Sequence, residues 1–260
     1  MKDDYGQVLA GKVALVIGGG GDGIGRAITR ALAAVGASVA VADHDPSRAE
    51  EAAAEIAASG ARACALTGDV RSAEAVNDFV KRTAGTFGAL DVLVTVVGGQ
   101  VAFVPAVRVQ YMSDDDWDLA FDLNLRYVMR AVRAAVAVFQ DQGRGGVIVS
   151  VGSVTGSMGA PMQGAYGAAK AGLASLARTI GAEYSRDGIR MNVIGCGAIA
   201  TPVAGGAQPP DEASEVPMGR YGQPDEVADA AVFLASSLSS YMTGQCLVLD
   251  GGLSARGPFR

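Results

Sequence analysis

The chain predicts a doubly wound α/β fold on three observations. Strand-like and helix-like segments alternate from residue 8 to residue 252. The run Lys12-Val-Ala-Leu-Val-Ile-Gly18 is continuous, apolar and rich in β-branched residues, the pattern of a parallel strand covered on both faces. A glycine-rich turn then delivers the chain straight into a helix, as at the opening of a βαβ unit.

Each element has a local reason. Residues 23–35 form the first helix, closed by Gly36. A second strand covers 38–42, and Pro46 suits the first turn of a helix over 46–59, where its missing N–H costs nothing. Residues 61–67 read as the third strand and 72–87 as the next helix, with Ser72 placed to cap it. The fourth strand spans 90–97. Ser113-Asp-Asp-Asp-Trp117 opens a long helix with acidic residues beside its positive end. A fifth strand over 146–151 precedes a helix over 164–185, and 189–194 and 245–249 are the last two strands. Such repeated βα units, joined by right-handed crossovers, make one parallel sheet with helices on both faces. A single domain over 8–252 is expected, with tails at 1–7 and 253–260. Residues 201–217, with Gly205-Gly206 and Pro209-Pro210, read as a mobile loop rather than a boundary between domains.

Composition removes several classes of function. The net charge of −6 argues against a nucleic-acid or anionic-membrane partner, since both call for a basic face. No apolar run approaches the ~18 residues of a membrane span. The opening, Met1-Lys-Asp-Asp-Tyr-Gly-Gln7, has no apolar stretch after its lysine and does not read as a secretory signal, so a cytoplasmic protein is expected. Cys64, Cys196 and Cys246 are too few and too scattered for zinc or a disulfide framework, and they read as small buried hydrophobes. His44 is the only histidine and has no nucleophile motif beside it, which leaves little room for Ser-His-Asp hydrolysis and none for a multi-histidine metal site.

The turn Gly18-Gly19-Gly20-Gly21-Asp22-Gly23-Ile24-Gly25-Arg26 lets backbone amides approach a pyrophosphate at the helix N-terminus. Alone, a glycine cluster is weak; between a buried strand and a helix it predicts dinucleotide binding. Asp43 ends the second strand, where a carboxylate accepts hydrogen bonds from adenosine ribose hydroxyls and repels a 2′-phosphate. Asp22 adds a second negative charge. NAD is therefore expected over NADP, with Arg26 and Arg48 as the two cations that could still receive the phosphate.

Tyr166 and Lys170 stand four residues apart, one helical turn, in Gly164-Ala-Tyr-Gly-Ala-Ala-Lys-Ala-Gly172. A lysine charge there would favour the phenolate and draw the tyrosine below its usual pKa of about 10. Such a phenol can exchange a proton with an alcohol oxygen. By itself the pair is a weak motif, and a solvated Tyr–Lys contact would also explain it. Small residues around Tyr166, and Ser153 just past the apolar run 146–151, favour the chemical reading.

With these motifs in this order, the chain resembles the short-chain dehydrogenase/reductase family in its ordinary, non-extended form, along nearly its whole length. Gly19, Gly23 and Gly25 occupy the glycine places of that family's Thr-Gly-x-x-x-Gly-x-Gly; Asp69-Val70 looks like the adenine-binding pair; and Asn124, in Asp122-Leu-Asn-Leu125, looks like the active-site asparagine. The resemblance implies a single-domain Rossmann fold with a seven-stranded sheet and a tetrad of Asn124, Ser153, Tyr166 and Lys170. In it Tyr166 is the acid/base, Ser153 binds the substrate oxygen, Lys170 binds the nicotinamide ribose and lowers the Tyr166 pKa, and Asn124 holds a water linking Lys170 to solvent. Asp22, Ile24, Gly98, Ile199 and Thr201 are further expected cofactor contacts. Gly18 replaces the family's threonine, Thr95-Val-Val-Gly98 stands where Asn-Asn-Ala-Gly is usual, and Cys196 replaces a proline. The first two departures require the fourth strand to be tied down by different hydrogen bonds.

The expected activity is NAD-linked interconversion of a secondary alcohol and a ketone. Phe103, Met158, Met162 and Val203 suggest a neutral, fairly hydrophobic substrate. The rivals are an NADP-dependent 3-oxoacyl reductase and a non-catalytic dinucleotide sensor. The resemblance also implies a homotetramer built on helices 116–140 and 164–185; the small residues Ala168, Ala171, Gly172 and Ser175 serve that interface or packing on the chain's own sheet equally well.

Overall fold

A computed structural model describes residues 5–100, 104–201 and 214–255. Seven parallel strands form one sheet in the order β3-β2-β1-β4-β5-β6-β7. They are β1 (Val13–Ile17), β2 (Ser38–Asp43), β3 (Ala63–Thr67), β4 (Val92–Thr95), β5 (Gly146–Ser153), β6 (Ile189–Cys196) and β7 (Cys246–Leu249). The helices are α1 (Ile24–Ala34), α2 (Pro46–Ala58), α3 (Ala73–Phe87), α4 (Asp114–Phe121), α5 (Tyr127–Gln142), α6 (Gly164–Tyr184) and α7 (Pro224–Ala235).

Alternation along β1 explains why the strand is apolar throughout. Leu15 and Ile17 enter a core with Phe79, Tyr127, Phe139 and Leu173, whereas Ala14 and Val16 enter a second core with Ile28, Leu32, Ile56 and Leu234. Both faces of the sheet are thus roofed by helices, which is what a parallel sheet requires. The chain runs outward from β1 through β2 to β3, then returns to place β4 on the other side of β1. The carboxyl ends of β1 and β4 therefore diverge into a crevice.

The caps follow the sequence. Ser72 Oγ accepts from Ala75 N at 3.2 Å, Ser113 Oγ accepts from Asp116 N at 3.1 Å, and Pro46 starts α2. Gly36, just past α1, has φ +97° and a left-handed backbone that a side chain would strain.

Two parts of the chain differ from expectation. The long helix after Ser113 is interrupted by a π-helical turn over Asp122–Arg126, which separates α4 from α5. A further helix, α7, lies beyond those expected, although Pro224 at its first position, Asp225 and Glu226 in its first turn, and the Gln223/Glu226 capping box are ordinary start signals. The tails expected at 1–7 and 253–260 contain short 3-10 turns at Tyr5–Gln7 and Leu253–Ala255. No helix among the described residues is long and apolar enough to cross a membrane.

Candidate active site

Two cavities meet at the carboxyl end of the sheet. A cleft of about 1000 Å³ is lined by Gly18, Gly21, Asp22, Gly23, Gly25, Asp43, Arg48, Asp69, Val70, Val97 and Gly98, among others. A smaller cavity of about 220 Å³ is lined by Ile24, Ser153, Tyr166, Lys170, Cys196, Ile199 and Thr201, among others. Val96, Gly98 and Thr201 border both.

The glycine turn is a cradle that side chains would fill. A Cβ on Gly25 would run into the Gly18 carbonyl oxygen, and one on Gly20 would lie 2.8 Å from the Arg48 carbonyl carbon. Gly19 does not line the cleft. It packs beneath the turn, where a Cβ would lie 2.7 Å from Thr29 Oγ1. At the far side of the turn, Gly20 N donates to Asp43 Oδ2 at 3.1 Å and Asp45 N donates to Asp43 Oδ1 at 3.2 Å. The Asp43 carboxylate thereby holds the end of β2 to the glycine turn while facing the cleft. Of the two candidate phosphate-binding cations, Arg48 lines the cleft, whereas Arg26 is buried towards Glu51 and Glu55. Asp69 reaches the cleft with its carboxylate already taken by Arg71, whose guanidinium lies 2.6 Å away and holds that carboxyl below its usual range. The cradle and the acidic strand end fit a dinucleotide.

In the smaller cavity Ser153, at the end of β5, faces α6, and its Oγ accepts from Thr155 N at 3.2 Å. Lys170 is buried, donates to Val151 O at 3.0 Å, and lies 5.6 Å from the centre of the Tyr166 ring. Burial lowers its pKa to about 8. The expected depression of the Tyr166 pKa is not what the structure has. Burial raises it, and the hydrogen bond with Ser153 only partly offsets this. The physical reason is that desolvation disfavours the phenolate more strongly than the Ser153 hydrogen bond favours it, and the same burial disfavours the Lys170 ammonium. Cys196 shares the cavity, and burial pushes its thiol up to about 12, so it stays protonated.

Asn124 lies in the π-helical turn, buried, with its amide fully occupied. Oδ1 accepts from Gly99 N at 3.0 Å, and Nδ2 donates to Gly99 O at 3.2 Å and to Ala120 O at 2.9 Å. It borders the small cavity through Gly98, whose Cβ would collide with Asn124 Oδ1 and lie 3.1 Å from Lys170 Nζ. The four tetrad residues thus come from three separate parts of the fold: the π turn, the end of β5 and α6.

The substitutes for the missing strand-end amides are also visible. Thr95 Oγ1 donates to Ser150 Oγ at 2.8 Å, and the Tyr127 hydroxyl, beside Thr95, donates to Val97 O at 2.8 Å. Tyr127 was not singled out from the sequence, where nothing but its register three residues past Asn124 could have marked it. Met158 and Met162 are exposed and line neither cavity. Phe103 and Val203 lie outside the described residues, as does most of the loop expected over 201–217. Among the described residues no cluster of His, Cys, Asp or Glu could hold a metal.

Comparison with known proteins fits this geometry. A family profile described as enoyl-(acyl carrier protein) reductase matches residues 19–254. The chain is 36% identical to 2,5-dichloro-2,5-cyclohexadiene-1,4-diol dehydrogenase of Sphingobium indicum, covering 95% of this chain and 98% of the relative. It is also 36% identical to a 3-oxoacyl-[acyl-carrier-protein] reductase of Synechocystis, covering 94% and 98%. The crystal structure of a short-chain type dehydrogenase/reductase from Mycobacterium marinum superposes with a TM-score of 0.87 at 30% identity, covering 97% of this chain and 98% of that one.

Proposed function

This chain belongs to the short-chain dehydrogenase/reductase family, an oxidoreductase family that uses nicotinamide cofactors, and from that premise we propose that it interconverts a secondary alcohol and a ketone with NAD(H) as its cofactor. The observation that carries the proposal is the meeting of Ser153, Tyr166 and Lys170 in one cavity that opens onto a glycine-floored cleft.

The residues divide the work. When bound, the nicotinamide supplies the hydride donor or acceptor. The backbone amides of the glycine turn receive the pyrophosphate end with Asp22 bordering the cleft beside them, Asp43 receives the adenosine ribose, and Asp69 and Val70 the adenine. Gly98, Ile199 and Thr201 border the nicotinamide end. Ser153 orients the substrate oxygen. Tyr166 gives a proton to that oxygen in reduction and takes it in oxidation. Its raised pKa keeps the phenol protonated at neutral pH, the form needed for reduction. Lys170 serves the ribose, and Asn124 holds the backbone beside it.

NAD is favoured because Asp43 faces the cleft with its carboxylate fixed by two backbone amides, so a 2′-phosphate would meet a charge that cannot swing aside. Paired titrations with NADH and NADPH test this: the expected result is tighter NADH binding, with the gap narrowed by Asp43→Ser. Tighter NADPH binding in the wild type would overturn it, and it is also the outcome that the 3-oxoacyl reductase reading requires. The Sphingobium relative acts on a ring diol, which supports a neutral cyclic alcohol as substrate class. A cytoplasmic homotetramer that includes the exposed side of α6 completes the proposal.

A further inference from the structure

We propose that Tyr127 is a positioning residue for the dinucleotide: its buried hydroxyl fixes the Val97 carbonyl and so holds the Val97–Gly98 backbone against the glycine turn where the two cavities meet. The inference rests on the dinucleotide reading of the cleft given above.

Val97 lies just past the end of a strand. The last ladder pairs of β4 are Thr95 with Ile17 of β1 and Thr95 with Ser150 of β5, and the final backbone bond towards β1 is Val96 N to Ile17 O at 2.9 Å. The Val97 carbonyl has therefore left the ladder and takes its donor from a side chain. Tyr127 Oη supplies it at 2.8 Å from a ring that is 1% exposed. Thr95 lies beside the same phenol, and its own hydroxyl donates to Ser150 Oγ at 2.8 Å. Thr95 and Ser150 tie β4 to β5 through their hydroxyls, and the Tyr127 hydroxyl holds the Val97 peptide that follows.

That peptide touches the proposed cofactor site on two sides. On one side, Val97 packs directly on the glycine turn: a Cβ on Gly18 would lie 2.8 Å from Val97 Cγ2 and 2.9 Å from Val97 N. On the other, Gly98 lines both cavities and passes beside Lys170 Nζ. Asn124, one turn before Tyr127, holds the N–H and carbonyl of Gly99. Two side chains on one helical face therefore secure neighbouring peptides, and the hydroxyl of Tyr127 is the part of its side chain that core packing does not need. Removing it leaves a part-buried carbonyl without its donor and frees the peptide to shift towards solvent, away from the glycine turn.

The test compares Tyr127→Phe, Thr95→Val and Phe139→Leu, the last a core change in the same helix far from the cleft. Thermal midpoints, NADH dissociation constants from fluorescence titration, and KM for NAD alongside kcat are measured for each. Tyr127→Phe is expected to raise the NADH Kd and the NAD KM by about 5- to 30-fold with kcat within about 2-fold. Thr95→Val should raise them about 3-fold, because it breaks the tie to Ser150 at the strand end but leaves the bond from Tyr127 to Val97. Phe139→Leu should lower the midpoint with Kd unchanged. If Tyr127→Phe does not accumulate as folded protein, Thr95→Val against Phe139→Leu decides the matter alone. Equal NADH affinity in wild type and the two hydroxyl variants would overturn the positioning role and leave the dinucleotide reading standing. Equal weakening in Phe139→Leu would overturn it too, as a loss of general stability. A wild type with no affinity for NADH or NADPH would overturn both.

Discussion

At the scale of single residues, Tyr166 and Lys170 are both perturbed by burial, in directions that disfavour charge. Replacing Tyr166 by Phe is expected to cut turnover by at least about a hundredfold while NADH affinity stays near that of the wild type. Steady-state rates and titration check this, and near-normal turnover would remove the proton role. Because the Tyr166 pKa is raised, oxidation should speed up with rising pH as the base form grows, and reduction should slow. Parallel pH profiles in the two directions read this out.

Lys170 makes a stability prediction with a definite sign. Its folded pKa of about 8 lies below the ordinary lysine value of 10.5, so between those limits the unfolded chain binds a proton that the folded chain does not. Stability from this group therefore rises as pH increases from about 8 to 10.5, and its full penalty applies below pH 8. Relative to Lys170→Met, the wild type should gain about 2 kcal/mol between pH 7.5 and 9.5, measured by urea unfolding of both proteins at each pH. A constant difference would mean the ammonium is solvated.

At the scale of elements, the site depends on how closely the turn after β1 approaches the start of α1. Gly25→Ala would drive a methyl into the Gly18 carbonyl, so α1 must retreat from the turn. We expect NADH affinity to fall more than about tenfold and the thermal midpoint to drop by several degrees, from about 1–3 kcal/mol of overpacking. Unchanged affinity would show that the cradle is not where the pyrophosphate sits. The π turn matters in a similar way. Its extra residue per turn lets Asn124 direct its amide at both Ala120 O and Gly99 while Tyr127, three residues on, reaches Val97.

For the whole molecule, the small residues of α6 divide between two jobs. Gly172 faces its own chain, where a Cβ would lie 2.6 Å from Leu125 Cδ2, whereas Ala168 and Ser175 are exposed. The proposed tetramer can therefore use the latter pair. Light scattering on the wild type should give the mass of four chains, and Ser175→Arg should yield smaller species with its thermal midpoint little changed. A tetramer that survived this change would place the interface elsewhere.

The amino-acid sequence alone determined the sheet, most of the helices, the glycine turn and the residues that could do chemistry. These are written in local signals: strand periodicity, caps, and the spacing of Tyr166 and Lys170. The break in the helix after Ser113 and the joint capture of the strand end by Thr95, Ser150 and Tyr127 were not legible, because they depend on contacts between distant segments. Nor was the sign of the Tyr166 shift. A four-residue spacing says that a cation lies nearby, but only tertiary packing decides how much water both groups lose. Here the loss of water outweighs the Ser153 hydrogen bond that favours the phenolate.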